Sequence, residues 1–534
     1  MLSPWRHSAS GTVDLNRFGS MPGWVKLGEP LTHDDHASPR LYVLSQRGPL
    51  TFDFGDPNQS QNSATAQGSG RALRASPASG GLATALGALS RSERFCWVAA
   101  AMSEGDQAVA KGGVAWPIGP SELRMVSLPR PVLQTHQCGF ANPLLWLLQH
   151  GLSDRLIWPR SEEAILDAWQ NGYVAANQAL AQELVAAARQ TPEPTVLVQD
   201  YHLYLAPRLI RQALPHASIS HFVHIPWPDP DAWRLLPRHI VREILEGLCA
   251  ADVVGFQTPG DADRFLATCN AYGCAPSRDS LTSQTHPLVR SYPITVNAAE
   301  LIQQAVARGN EPGNGAWSTE FKGQTIVRID RLDPTKNIPA GFRAFGQLLE
   351  RQPTLRERVR FVAHLVPSRS ELPEYQREKR AAYDAAQFVN RRFGTPRWQP
   401  IEILYEENRE LAMELLGRYD VLLVNPLADG MNLVAKEGPM VNRHDGVLVL
   451  SERAGARAEL GWWALTIDPT DVNATAAALG RALTMTRPER RRRAEGLRRK
   501  VTSSSLSEWL DRQLSDLAEA RQNRRGSLVH SLVA

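Results

Sequence analysis

Four short stretches of this 534-residue chain carry residue types at spacings that suit chemistry on a charged, hydroxylated ligand. Arg331-Leu332-Asp333-Pro334-Thr335-Lys336-Asn337 follows an apolar run ending near Ile329. Pro334 fixes the turn, Asn337 can open the next helix, and Arg331 and Lys336 leave one loop together. Two cations at one strand end suit a diphosphate leaving group, because they neutralise charge as it develops. The blander alternative is a pair of solvated loop cations. The second stretch, Asn425-Pro426-Leu427-Ala428-Asp429-Gly430-Met431-Asn432-Leu433, follows the run Val421 to Val424. Gly430 permits close backbone approach, and the N–H groups of Met431, Asn432 and Leu433 would open a helix, a natural anion or hydroxyl site. Glu437, in the second turn of that helix, can accept two ribose hydroxyls. Alternatively Asp429 is a helix N-cap and Glu437 an exposed helix acid. Third, His224 ends the run Ile219 to Ile225, where an imidazole can bond a sugar hydroxyl or serve as a satisfied structural histidine. His221, three residues earlier, faces the other side of a strand, which argues against a two-histidine metal site. Fourth, Asp200 follows Val198-Gln199 and either orients an acceptor hydroxyl or caps the next helix.

Other signals are weak. Asp229-Pro230-Asp231 and Asp261-Ala262-Asp263 match a three-residue metal pattern that chance produces often, and neither follows a strand directly. The basic run Arg490 to Arg493 with Arg498-Arg499-Lys500 is interleaved with Glu489 and Glu495, as a solvated helix face would be. There is no GxxxxGK[ST] loop and no GxSxG elbow.

The elements that must hold these loops follow an α/β rhythm. Apolar runs at Leu41 to Leu44, Thr195 to Gln199, Ile219 to Ile225 and Asp252 to Phe256 alternate with helical patterns, one opened by Ser161-Glu162-Glu163 and one from Arg238 to Cys249. Residues 275–322 break the rhythm, as a domain junction would, and it restarts at Thr325 to Ile329. Strands alternating with helices imply doubly wound parallel sheets, whose ligands sit beyond the carboxyl ends of the strands. The expected organisation is an irregular extension at 1–39, a first Rossmann-like domain at 40–295 with a Gly/Ser/Asn-rich mobile loop at 51–79, a second at 296–480, and closing helices and a tail at 481–534. With 59 Lys+Arg against 55 Asp+Glu, the chain is too balanced for a dedicated nucleic-acid or polybasic membrane binder. Five cysteines without a CxxC pair argue against a disulfide scaffold or a zinc ribbon. No targeting segment or membrane span is visible, so a cytoplasmic location is expected.

Taken together these segments resemble the trehalose-6-phosphate synthase family, retaining sugar-nucleotide transferases of the GT-B fold. The matching runs are Ser79-Gly80-Gly81-Leu82, Asp200-Tyr201-His202-Leu203, His224-Ile225-Pro226, Arg331-Leu332-Asp333 with Lys336, and the long Asp429-Gly430-Met431-Asn432-Leu433-Val434-Ala435-Lys436-Glu437. The resemblance implies two Rossmann-like domains across a cleft, with the C-terminal helices packing back on the first. It implies that Gly81 belongs to a loop closing over the donor and that Arg331 and Lys336 clamp the diphosphate. Glu437 would hold the ribose, with Asp429 and the backbone of Met431, Asn432 and Leu433 on the donor sugar and phosphates. His224 would lie beside the donor sugar and Asp200 near the acceptor. Arg47, Trp146 and Arg369 would line the acceptor site, Arg47 and Arg369 on its phosphate.

Departures cluster on the acceptor side. Gln137 stands where the family usually has a phosphate-binding tyrosine, and Gln199 where a histidine commonly precedes Asp-Tyr-His. Pro334 with Asn337, Trp227 in the cleft, and Val441-Asn442 instead resemble the validoxylamine 7'-phosphate synthase type, which couples two pseudosugars. That type departs from the Asp429 to Glu437 run kept here. The implied activity is retaining glucosyl transfer from an NDP-glucose to glucose 6-phosphate, with UDP, GDP and ADP all open, no cofactor and no essential metal. The same chemistry on another sugar-phosphate, polyol or pseudosugar acceptor, or a non-catalytic sugar-phosphate sensor, stands as the alternative. A homo-oligomer is left open.

Overall fold

The structure, a computed structural model, describes residues 41–54, 73–78, 87, 94–157, 161–274, 287–309 and 321–533. The 1–39 extension, Gly81 with its neighbours Ser79, Gly80 and Leu82, and most of the 51–79 loop lie outside the described residues.

Two sheets carry the molecule. The first has eight strands in the order Leu288–Ser291, Val253–Phe256, Ser218–Val223, Thr195–Gln199, Leu41–Ser45, Phe95–Ala100, Ser121–Val126, Trp116–Ile118. All neighbours pair parallel except the last two, which pair antiparallel. The second has six parallel strands, Ile401–Tyr405, Val359–Val366, Gln324–Arg331, Val421–Val424, Val447–Ser451, Leu465–Ile467. Helices cover both faces of each sheet, so the strands are apolar throughout rather than alternating. Phe95–Ala100 and Val421–Val424 are buried at every position. Within Leu41–Ser45, Tyr42 and Leu44 join one apolar layer while Leu41 and Val43 join the other.

That second layer ties the halves together. It runs from Val43, Trp97 and Phe222 through Tyr292 and Trp509 to Val327, Met431 and Leu448, with no break between the sheets. Trp509 belongs to the closing helix Leu506–Val533, which returns to the first sheet. Its indole N–H bonds Tyr292 O at 3.0 Å, its ring lies edge-on to Phe222, and farther along Arg524 pairs with Asp252 at 2.8 Å. The GT-B architecture expected from the sequence, with C-terminal helices packing back on the first half, is thus the one observed.

Three expectations need correction. Leu50–Phe54 and Leu73–Pro77, inside the stretch expected to be a mobile loop from 51 to 79, form an antiparallel ladder. Phe52 is fully buried and its N–H bonds Asp106 at 2.8 Å, so one side chain anchors a segment of otherwise polar composition. The basic run is not a purely solvated face. Arg491 and Arg492 are exposed, but Arg490 bonds Asp420 and the carbonyl of His444, and Arg498 bonds Asp445 and the carbonyls of Pro439 and Asn442. Trp227 lies in the core rather than the cleft, fully buried against Trp233 with its indole N–H on Thr268 at 3.0 Å. Among the described residues no helix is long and apolar enough to cross a membrane.

Candidate active site

The loop after Gln324–Arg331 is held from behind. Arg328, fully buried, pairs with Asp330 at 2.7 Å and donates to the carbonyl of Lys336 at 2.9 Å. Asp333 caps the short turn Pro334–Lys336 by accepting from the Thr335 N–H at 3.0 Å, and Asn337 leaves it at φ 58°. Arg331 is thereby left exposed at the strand end, over the ring of Trp146 at 5.1 Å. Lys336 is not a solvated cation: it is buried and ion-paired with Asp429, on the next strand's loop.

Asp429 is not the helix N-cap. The N-cap position is Leu433, and Asn432 before it, at φ 79°, supplies the capping hydrogen bond: its side-chain oxygen accepts from the Ala435 N–H at 3.0 Å while its amide donates to Asp429 at 3.0 Å. Burial would raise the Asp429 carboxyl, but Lys336 and Asn432 outweigh it and hold it below the usual range. The helix itself is Val434–Val441, and none of the Met431, Asn432 and Leu433 N–H groups makes a backbone hydrogen bond among the described residues. They remain available to an anion beside a helix start. Glu437 is half-buried rather than exposed, and its carboxylate makes no hydrogen bond among the described residues. Burial raises its pKa and Arg409 partly offsets this. Lys436, by contrast, is spent on structure, bonding Glu459 and the carbonyl of Ile294, each at 2.7 Å.

On the first half, Asp200 ends its strand at φ 72°, a costly conformation for a residue with a side chain. It makes no side-chain cap to the turn that follows, so the capping alternative falls away. Its carboxylate accepts instead from the His224 N–H at 3.1 Å. His221 and His224 do diverge: His221 is buried beside Tyr204, whereas His224 faces Phe222 and Trp509. Both ring nitrogens of His224 are engaged, Nε2 with the Gln199 side-chain oxygen Oε1 at 2.9 Å and Nδ1 with the Gln257 side-chain amide at 3.3 Å. Burial holds its pKa down to about 3, so the ring is neutral, and this pairing assigns the proton to Nε2.

Burial pushes Asp200 up to about 6, against the Tyr201 and His224 N–H groups and the Arg369 and Arg331 charges. We expect kcat/KM to fall as pH drops through about 6 and the Asp200→Asn variant to lose that limb of the profile. A raised carboxyl pKa means the folded state binds this proton more readily than the unfolded one. From Asp200, therefore, stability rises as pH falls from about 6 towards about 4. An activity loss in that window with an unchanged or higher melting temperature is a titration, not unfolding. A limb that persists in Asp200→Asn would assign it to another group.

Of the residues expected on the acceptor side, Trp146 and Arg369 meet. Trp146 follows a helix stretch of π character, Thr135–Leu145, which also carries Gln137. Arg331 and Arg369 both stack on the Trp146 ring, at 5.1 and 4.2 Å, and the indole N–H reaches Asp333 of the other half at 3.3 Å. Arg369, at φ 44°, donates to Tyr201 at 2.8 Å and to Tyr375, and Tyr375 donates to Asp333 at 3.0 Å. Arg47 is exposed at its strand end, yet surrounding protein and the charges of Arg369 and Arg331 lower its pKa, which puts the three guanidiniums in one field. The Gln137 amide donates to the sulfur of Met102 at 3.0 Å, a weak acceptor. Asp333, Tyr375, Gln257 and Met102 were not singled out from sequence. Only Asp333 had a signal, its place between Arg331 and Lys336. Among the described residues no group of three or more His, Cys, Asp or Glu side chains is placed to hold a metal ion.

The family model described as Glycosyltransferase family 20 matches residues 40–519. A trehalose-6-phosphate synthase of Salmonella arizonae is 34% identical over 430 residues, 77% of this chain and 84% of that protein. An α,α-trehalose-phosphate synthase (UDP-forming) from Burkholderia vietnamiensis superposes with a TM-score of 0.77 at 30% identity, covering 92% of this chain and 99% of that one. Its counterpart from Burkholderia xenovorans, solved in complex with glucose-6-phosphate, gives 0.75 at 29% identity over 90% and 100%.

Proposed function

The chain belongs to glycosyltransferase family 20, and from that premise we propose that it transfers glucose from UDP-glucose to glucose 6-phosphate, with retention, giving trehalose 6-phosphate. The observation that carries the substrate assignment is the division of cations around Trp146. Arg331 stands at one strand end and Lys336 follows it, paired with Asp429 beside the N–H groups of residues 431–433, which make no backbone hydrogen bond among the described residues, and Arg369 and Arg47 are assigned to the acceptor side. One set suits a diphosphate, the other a phosphate monoester.

In this reading the glucosyl–phosphate bond breaks as the acceptor hydroxyl approaches from the same face. The departing phosphate takes the acceptor proton, while Arg331 and Lys336 stabilise its charge. No protein nucleophile is required. The neutral His224, with its ring nitrogens on Gln199 and Gln257, does not suit a proton shuttle, and a sugar hydroxyl would bond it by displacing one of these two amides. With cations supplied by the chain, turnover is expected to survive exhaustive chelation with EDTA. The test of the whole reading is a matrix of UDP-, GDP- and ADP-glucose against sugar phosphates, with product mass and anomeric configuration measured. UDP-glucose with glucose 6-phosphate should give an α,α-linked product; an inverted product would overturn the mechanism.

A second reading, the same transfer to a different phosphorylated acceptor, is favoured by one observation: Gln137 spends its amide on Met102 where the family's resemblance implies a phosphate-binding tyrosine. Gln137→Tyr is expected to lower the KM for glucose 6-phosphate by about 10- to 100-fold, the worth of one hydrogen bond to a charged group. An unchanged KM would take residue 137 out of the phosphate site.

A further inference from the structure

We propose that Asp333 is a positioning residue that couples the donor and acceptor sites, so that occupation of one organises the other. The inference rests on the substrate reading above. Its basis is that one buried carboxylate holds three pieces of the site at once.

Asp333 has no exposed surface. Oδ1 accepts from the Thr335 N–H at 3.0 Å, inside the loop that joins Arg331 to Lys336. The same oxygen accepts from the Trp146 indole N–H at 3.3 Å, across the boundary between halves. Oδ2 accepts from the Tyr375 hydroxyl at 3.0 Å and lies 3.7 Å from Arg369. Tyr375 in turn accepts from Arg369, whose other amino group reaches Tyr201 in the first half at 2.8 Å. The diphosphate loop, the shared indole and the acceptor-side arginine therefore cannot move independently without leaving part of this carboxylate unpaired. Burial would neutralise it, but Arg331, Arg369, Lys336 and the Thr335 N–H hold it ionised, with its pKa down to about 2. An unpaired buried charge is far more costly than a lost neutral contact, which makes the arrangement closer to all-or-none than graded.

Trp146 carries the coupling physically. Its ring lies under both Arg331 and Arg369, and its indole N–H is fixed by Asp333. A phosphate that draws Arg369 towards the acceptor site pulls on Tyr375, Asp333 and the indole, and through them on the ring beneath Arg331. Linkage requires the effect to be reciprocal: UDP must tighten glucose 6-phosphate by the factor with which glucose 6-phosphate tightens UDP.

The experiment is calorimetric binding of UDP to the full chain, with and without saturating glucose 6-phosphate, for wild type and for Asp333→Asn. Asparagine keeps the size and one carbonyl oxygen but removes the charge. In wild type, glucose 6-phosphate should tighten UDP about tenfold; in Asp333→Asn each ligand should still bind, with a coupling factor near one. A residue that served only the fold would reduce the fraction of binding-competent protein and leave the coupling factor unchanged, and that result overturns the proposal. So does a wild-type factor of one. If neither ligand binds wild type, the substrate reading fails and the proposal with it. Should Asp333→Asn not fold, Tyr375→Phe removes only the hydroxyl between Asp333 and Arg369 and should lower the factor at least threefold; an unchanged factor there is equally fatal.

Discussion

Arg331→Ala combined with Lys336→Ala is expected to lower kcat/KM by about 10,000-fold, because removing one donor aimed at developing charge costs roughly 100- to 1,000-fold and these two act on the same diphosphate. The single variants separate charge from fold. Arg331 is exposed at a strand end and makes no ion pair among the described residues, but its charge helps to hold the buried Asp333 ionised, so Arg331→Ala should lower the melting temperature by a few degrees, less than Lys336→Ala does, while activity collapses. Lys336 is different. It is buried and paired with the half-buried Asp429, so Lys336→Ala leaves that carboxylate with the Asn432 amide and no cation partner. Breaking such a pair costs about 3–5 kcal/mol, and the variant should lose stability as well as turnover. Lys336→Ala with Asp429→Asn should recover much of the stability and none of the activity. Steady-state kinetics beside thermal unfolding reads all four; an Arg331→Ala enzyme with near-wild-type kcat/KM removes the clamp assignment.

How much of this was legible beforehand depends on how redundant each signal is. The strands Thr195–Gln199, Val253–Phe256, Val421–Val424 and Val447–Ser451 stand out because a parallel sheet buried on both faces needs an unbroken apolar run. The helix Arg238–Cys249 stands out because its buried stripe, Ile240, Val241, Ile244, Leu245 and Leu248, repeats at the helical period. The 21-residue helix Pro373–Phe393 does not, because its charged residues outnumber its buried apolar ones, which are Tyr375, Ala382, Ala386 and Val389. The Leu50–Phe54 and Leu73–Pro77 pair was hidden likewise: its one deep anchor is Phe52, and its partner strand is half exposed.

The site divides along the same line. Residues on strand-end loops stand where topology says to look: Asp200 meets His224, Lys336 meets Asp429, and Gly430 brings the two loops together, while Glu437 follows in the next helix. What sequence could not supply was their partners. Gln257 and Tyr375 are single polar residues whose only distinction is the atom they touch, His224 in one case and Asp333 in the other. Their roles are pairings at long range, and no local pattern encodes those. The Arg490 to Arg498 region shows the converse: the charge pattern was plain, but which arginines dock depends on carbonyls supplied by residues 439–444.

Gly430 joins the two kinds of information and supports the remaining large effect. A Cβ built there would stand 2.0 Å from the His224 carbonyl oxygen and 3.1 Å from Ile225 Cα, both backbone atoms of the opposite half. One built on Gly455 would stand 1.8 Å from the Gly430 carbonyl oxygen. Neither glycine has a positive φ, so the requirement is close approach and not backbone freedom. Backbone cannot rotate out of the way as a long side chain does, so Gly430→Ala must part the strand-end loops by about 1 Å to reach ordinary contact, and a misplacement of that size costs about 100-fold. The neighbouring contacts across the boundary, Trp146 to Asp333 at 3.3 Å and Arg155 to the Pro334 carbonyl at 3.1 Å, have little slack to absorb it. We therefore expect kcat to fall about 100-fold in Gly430→Ala. Hydrolysis of UDP-glucose to free glucose should rise relative to transfer, because a cleft that closes less completely admits water. Gly417→Ala is the matched control: a Cβ there meets only the Val441 carbonyl at 3.9 Å, within the helix Arg409–Arg418, and should leave both ratios unchanged while adding up to about 1 kcal/mol of stability. Equal behaviour of the two variants would mean that the approach of Gly430 to His224 does not set the geometry of transfer.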